Sequence, residues 1–180
     1  KDNLKSVKNN LIKASKKFNI IITAGGASVG EEDHLINALC GLGKLYFWKA
    51  AIKPGRPLAF GKINKCYVVC LPGNPVSVQL LYGMLIKPLI LKLCGSTLKL
   101  PSSSKIHVNF NMKKKTKRME WLRVTKTTKN KKDFAIKYPK QGSGMISSIS
   151  YSSGIIEIGE EVSLIKKGDL FEFYDFESLF

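Results

Sequence analysis

The sequence predicts an α/β layer followed by a small all-β barrel or sandwich, and three observations carry that prediction. Helix-type and strand-type apolar patterns alternate from residue 3 to about residue 94. Beyond Pro101 only short strand-type segments follow, separated by turn residues. Each glycine- or proline-rich loop of the first part falls at the C-terminal end of a predicted strand, the edge at which open α/β sheets bind ligands. The predicted division is residues 1–98 and 101–180, with Pro101-Ser102-Ser103-Ser104 marking the change of texture.

Leu4, Val7, Leu11 and Ile12 recur at helical spacing with lysines between them, so residues 3–17 read as an amphipathic helix. The run Phe18 to Thr23 reads as a strand buried on both faces of a largely parallel sheet. A glycine loop follows at 24–30. A second helix is expected from Asp33, a good N-cap, to Cys40, ended by Gly41-Leu42-Gly43. Leu45 to Ile52 is the next strand, and Lys53-Pro54-Gly55-Arg56-Pro57 the rigid turn after it. "LAFGKI" and "CYVVCL" are predicted strands with a hairpin at Asn64. A long helix is expected from Pro75 to Cys94, with Pro75 in its first turn and a kink at Pro88. In the second part "KIHVNF", "MEWLRVTKT", "DFAIKY", "MISSISY", "GIIEIG", "EVSLI" and "DLFEFY" are predicted strands, and Lys113–Lys117 a solvated hairpin tip.

The chain has 180 residues and a formal net charge of +17. Such a charge invites a nucleic-acid reading, but only three of the 30 basic residues are arginine: Arg56, Arg118 and Arg123. Fork-shaped recognition of phosphates and bases favours arginine, so the lysines read as a solvated surface, and no nucleic-acid partner is expected. No apolar run reaches the ~18 residues of a membrane span, so no membrane partner is expected either. Cys40, Cys66, Cys70 and Cys94 read as reduced thiols of a cytoplasmic protein, in preference to a metal or disulfide site. The polar start at Lys1 resembles no signal peptide and lacks an initiator Met, and a piece of a longer protein is expected.

Thr23 to Asp33, "TAGGASVGEED", holds three of the four acids found in the first 119 residues. The glycines let backbone N–H groups approach an anion at a helix start; a plain strand-to-helix turn would also use them. Acids in a first helical turn are stabilising by roughly 0.3–1 kcal/mol, but three in a row repel unless a cation is near, and Mg²⁺ is one that carboxylates hold together with phosphates. "KPGRP" presents Lys53 and Arg56 on a stiff turn. "LPGNPVS" is a second stiff turn at a helix start, and "QGSGM" is a polar loop in the β part. Together these loops predict a cation-rich pocket with a carboxylate–metal corner, suited to a phosphate-bearing ligand or another oxyanion.

In this order "ITAGGASVGEED", "FWKAAIKPGRPLAFG", "LPGNPVS" and "QGSGMISS" resemble the molybdopterin molybdotransferase family, the MoeA-like proteins that include the E domain of gephyrin. The resemblance implies part of a three-layer α/β domain of molybdopterin-binding type, then a β-barrel domain. It implies molybdenum insertion from molybdate into adenylylated molybdopterin, dependent on Mg²⁺ or another divalent metal, with release of AMP. It places Asp2 and Asp33 on the metal, and Asp33, Lys49 and Lys53 among the catalytic groups. The ligand pocket would draw on Gly25, Gly26, Ser28, Lys53, Arg56, Pro72, Gly73, Asn74, Ser77, Arg123 and Ser143. Arg56 stands where many members have Lys, and Ala27 where Val is common.

Whole members carry an upstream elongated domain and a Gly-Asp-Glu loop. The resemblance therefore implies the C-terminal portion of a homodimeric enzyme, unable to complete the site alone and supplied by an upstream adenylyltransferase. The alternative is a non-catalytic scaffold or interaction module of the same fold.

Overall fold

A computed structural model describes residues 3–25, 34–142 and 144–180. Helix α1 (Leu4–Ser15) is capped by Asn3, whose side chain accepts from Ser6 N at 2.8 Å. Then follow β1 (Ile20–Ala24), α2 (His34–Leu42), β2 (Lys44–Trp48), β3 (Ile52–Lys53), β4 (Ala59–Ile63) and β5 (Cys66–Leu71). Helix α3 (Pro75–Leu81) runs through a π turn at Tyr82–Ile86 into α4 (Lys87–Leu93).

The first sheet has the order β1-β5-β4-β2. Only β1 and β5 are parallel; β4 pairs antiparallel with both β5 and β2. The largely parallel sheet expected from the helix–strand alternation is thus corrected. The cause is local: the Asn64 turn, with φ 53, joins β4 to β5 as a tight hairpin, which only antiparallel strands can use. Strand β1 lies at the sheet edge among the described residues, and Ile22 is 40% exposed rather than buried on both faces.

"CYVVCL" is apolar throughout because both faces of β5 are covered. Val68 and Cys70 face α1 and α2, in a core with Leu11, Leu35 and Leu39. Val69 and Leu71 face α3, in a core with Val76, Leu80 and Leu81. The layer is therefore helix, sheet, helix. Helix, π turn and helix from Pro75 to Leu93 form the one described segment long and apolar enough to cross a membrane. Here its inner side is the core wall of the layer. The π turn precedes Pro88 and lets Lys87 N reach Tyr82 O, five residues back, so helix continues past the proline.

The second part holds β6 (Ser104–Val108), β7 (Met112–Lys113), β8 (Met119–Lys129), β9 (Lys132–Lys137), α5 (Ser147–Ser150), β10 (Gly154–Ile158), β11 (Leu164–Ile165), β12 (Leu170–Asp175) and α6 (Phe176–Leu179). Strands β10-β12-β6-β9-β8 close on themselves through the β10–β8 pairing, forming a five-stranded barrel. "MISSISY" is not a strand. It forms α5, where the Ser148 hydroxyl donates to Met145 O at 2.6 Å and anchors the turn. Alternation sends Leu122, Val124, Ile156 and Ile158 into the barrel core. Trp121 and Ile155 point out of the barrel into the core beneath α3, so one apolar cluster joins the two parts.

The lysine run is solvated at Lys113, Lys115 and Lys117 as expected, but Lys114 is not. Lys114 is 8% exposed, and its ammonium donates to the carbonyls of Gly159 at 3.0 Å and Val162 at 3.2 Å. β7 pairs with β11, so this segment is fastened along the barrel.

Candidate functional site

Two stiff loops and one barrel strand meet where the layer joins the barrel. Leu45–Ile52, expected as one strand, is broken at Lys49, whose φ is 72. After the break, β3 leaves the first sheet and pairs in parallel with β8. The next loop closes on itself: Ala50 N donates to Arg56 O at 2.9 Å and Leu58 N to Gly55 O at 3.1 Å. Gly55 has φ 118, and a Cβ there would lie 3.2 Å from Ile52 and Leu81 side-chain carbons. A side chain would be strained in that backbone region, so the turn depends on glycine. The Lys53–Pro54 peptide is cis.

On the sheet side, Gly25 N donates to Leu71 O at 3.0 Å, which brings the ends of β1 and β5 together. Pro72-Gly73-Asn74 then leads into α3, where Asn74 Oδ1 accepts from Ser77 N at 3.4 Å. On the barrel side, Gln141 mimics a strand partner. Its Nε2 donates to Arg123 O at 2.9 Å and Tyr138 O at 2.8 Å, and its Oε1 accepts from Arg123 N at 3.1 Å.

These loops enclose a cavity of about 860 Å³. Of the residues the sequence marked, Gly25, Lys53, Arg56, Pro72, Gly73, Asn74 and Ser77 line it. Its charged lining is Lys53, Arg56 and Arg118, with no carboxylate among the described residues. Lys53 Nζ lies 2.9 Å from Glu120 Oε1, so one of the three cations already has a partner.

Arg123, read as part of the ligand pocket, lies behind it. It is 1% exposed, with Nε donating to Ser148 Oγ at 3.1 Å and a terminal nitrogen to Gly142 O at 3.2 Å. Burial pushes its guanidinium below the ordinary value, with the Glu120 carboxylate acting in the opposite direction. Arg123 therefore holds Gln141, Gly142 and Ser148 in place, and Arg118 takes the lining place. Lys49 is exposed and stands with its amine 4.2 Å from the centre of the Trp48 ring, outside the lining. Arg118, Gln141 and Gly142 line the cavity without having been marked as site residues. The scarcity of arginine was the available signal for Arg118.

Asp2, Gly26, Ser28, Asp33 and Ser143 lie outside the described residues. Among the described residues no group of three or more His, Cys, Asp or Glu comes together. They do not by themselves supply the oxygen-rich donor set that a magnesium ion requires.

A three-layer α/β unit shares its core with a barrel, and a cationic cleft lies at the seam between them. The chain belongs to the MoeA-like molybdopterin-binding family. Residues 1–92 match the profile of a probable molybdopterin binding domain, and residues 105–176 match the MoeA C-terminal region (domain IV).

A molybdopterin molybdenumtransferase of Haemophilus influenzae is 40% identical over 123 residues, covering 68% of this chain and 30% of that protein. Gephyrin of Dictyostelium discoideum is 34% identical over 114 residues, covering 54% of this chain and 16% of that protein. The crystal structure of a molybdopterin biosynthesis MoeA protein from Pyrococcus horikoshii superposes with a TM-score of 0.76 at 27% identity, covering 97% of this chain and 41% of that one. The chain thus spans less than half the length of each of these relatives.

Proposed function

We propose that this chain forms the oxyanion-binding part of a molybdopterin molybdotransferase, which inserts molybdenum from molybdate into adenylylated molybdopterin and releases AMP. The observation that carries this reading is the seam cavity, whose described charged lining is Lys53, Arg56 and Arg118 without an acid. Its volume of about 860 Å³ lies within the roughly 300–1,000 Å³ of small-molecule sites. Arg56 and Arg118 offer planar forks to a tetrahedral dianion, and Lys53 a point charge. The stiff turns hold these donors in place before the ligand arrives. Charge that develops on a departing phosphate meets them without reorganisation, so positioning and electrostatics carry the reaction.

Any divalent metal in this reading takes its carboxylates from Asp33 and Asp2. The reading also includes a homodimer completed by upstream domains, and delivery of the adenylylated substrate by an adenylyltransferase.

The test is AMP release by the protein that contains this chain, given adenylylated molybdopterin and molybdate, with and without a divalent metal. Arg56→Ala and Arg118→Ala are each expected to lower kcat/KM by about tenfold or more, the loss of one charge-assisted contact. Unchanged turnover in both variants overturns the assignment.

A further inference from the structure

Helix α6 continues barrel strand β12, yet it packs into the layer. Asp175 caps its start by accepting from Glu177 N at 3.0 Å, and Phe176 N donates to Ser153 O at 2.9 Å. Leu179, 1% exposed, lies in one core with Leu81 of α3 and with Met84 and Ile86 of the π turn.

The π turn is shaped to receive this helix. A Cβ at Gly83 would lie 2.8 Å from Phe180 Cε1 and 3.2 Å from Leu179 Cβ. Even a methyl group there would press on α6, which accounts for a glycine inside a helical segment, where it is otherwise unfavourable. Lys87 closes the contact. Its ammonium donates to Leu179 O at 3.1 Å and to Phe180 O at 3.3 Å, carbonyls of the kind a helix end leaves without partners. A cavity of about 280 Å³ borders Gly83, Lys87, Ser178 and Leu179. On that flank α6 lacks close packing, so its hold depends on Phe180 and Lys87.

The same turn backs the seam. Leu81, two residues before Gly83, carries the side-chain carbons that a Cβ at Gly55 would meet at 3.2 Å. Gly55 opens the closed turn in which Leu58 N donates to Gly55 O and Ala50 N to Arg56 O. A close-packed core passes a shift on to its neighbours. Contact therefore runs from Phe180 through Gly83 and Leu81 to Gly55, and Arg56 is the next residue.

We propose that α6 is a latch, in which Phe180 and Lys87 are positioning residues. They hold the π turn against the Gly55–Arg56 turn and so set where Arg56 stands in the seam cavity. Neither residue lines that cavity. The latch itself is independent of the ligand; only its effect on anion binding rests on the function proposed above.

The experiment is hydrogen exchange on the full chain, read at the amides of Ala50 and Leu58, whose bonds close the turn. Calorimetric titration with molybdate accompanies it. Phe180→Ala and Lys87→Met each open the latch, and Lys87→Met keeps the stem, so it serves where Phe180→Ala fails to fold. Lys87→Arg keeps donors for both carbonyls. Ile106→Val, in the separate barrel core, lowers stability with the latch intact and is the control.

Exchange at both amides should quicken about tenfold in Phe180→Ala and Lys87→Met, recover in Lys87→Arg and stay unchanged in the control. Molybdate affinity should fall about threefold or more in the same two variants and recover in Lys87→Arg. Unmoved amides in both latch variants, or equal quickening in Ile106→Val, overturn the latch. Quickened amides with unchanged molybdate affinity, in a chain whose affinity falls in Arg56→Ala, overturn it as well. If the unaltered chain binds no molybdate, the function proposed above fails, and the exchange result alone decides the latch.

Discussion

Lys53 and Glu120 are held together twice, as register partners where β3 pairs with β8 and by an ion pair of 2.9 Å between Nζ and Oε1. The same lysine lines the seam cavity, so Glu120 competes for its charge with any anion bound there. Glu120→Gln is expected to raise molybdate affinity roughly two- to fivefold, the worth of one partly exposed ion pair. The thermal midpoint should drop by a few degrees as the 8%-exposed site loses its charged partner. Weaker molybdate binding in calorimetry would show that Glu120 positions Lys53 instead of competing for it.

Arg123→Met keeps the side-chain length but removes the bonds to Ser148 and Gly142. Urea unfolding should show a loss of about 2–4 kcal/mol, since buried acceptors are stranded and a filled site is disturbed. Hydrogen exchange should quicken around residues 141–148. A stability change under 0.5 kcal/mol would contradict the role of loop anchor.

Gly55→Ala places a side chain at φ 118 against Ile52 and Leu81. The expected cost is about 1–3 kcal/mol. Because Arg56 is the next residue, molybdate binding should weaken in the same variant; a fully stable, fully binding Gly55→Ala would refute this account of the turn.

Glu172 accepts from the Lys105 ammonium and, at 2.7 Å, from the Ser103 hydroxyl. The Lys105 hydrogen bond first, and then Ser103, hold its carboxyl below the ordinary value. A depressed folded-state value gives stability that is present above the unfolded pKa of about 4.3 and lost as pH falls through the folded value. Denaturant midpoints of the unaltered chain and Glu172→Gln should therefore differ near neutrality and converge as pH falls through the folded value. A gap that widens on acidification would reverse the assignment.

Lys114→Met strands the carbonyls of Gly159 and Val162 that the ammonium now satisfies. A loss of about 1–3 kcal/mol is expected in urea, with faster exchange along residues 159–165. No change would mean that water replaces the ammonium without cost.

Local chemistry made much of this legible. The helix at Leu4–Ser15, the Asn64 hairpin and the two stiff turns all follow from spacing, caps and prolines. Long-range pairing did not. Nothing around Ile52-Lys53 announces that these two residues leave the first sheet for β8, because strand partners are chosen by tertiary packing. "MISSISY" alternates like a strand, yet serine hydroxyls also bond locally to backbone, and Ser148 does so. Arg123 and Arg118 look alike as letters. Only their placement, one buried on β8 and one just before it, distinguishes the arginine that holds Gly142 from the one that lines the cavity. Lys114 reads as solvated like its exposed neighbours because its carbonyl cage is assembled from residues 45 positions away.

Strand β3 has only two residues, yet it is joined to the barrel by ladder bonds and to the layer by the chain itself. With Trp121 and Ile155 embedded in the core under α3, the seam is stapled on two levels. A cleft so built has a fixed gauge. Its Ile52–Lys53 wall cannot shift relative to the barrel without breaking the ladder to β8. Under the proposed function, trimming Ile52, which lines the cleft, should change which tetrahedral anion is preferred before it changes how tightly anions bind.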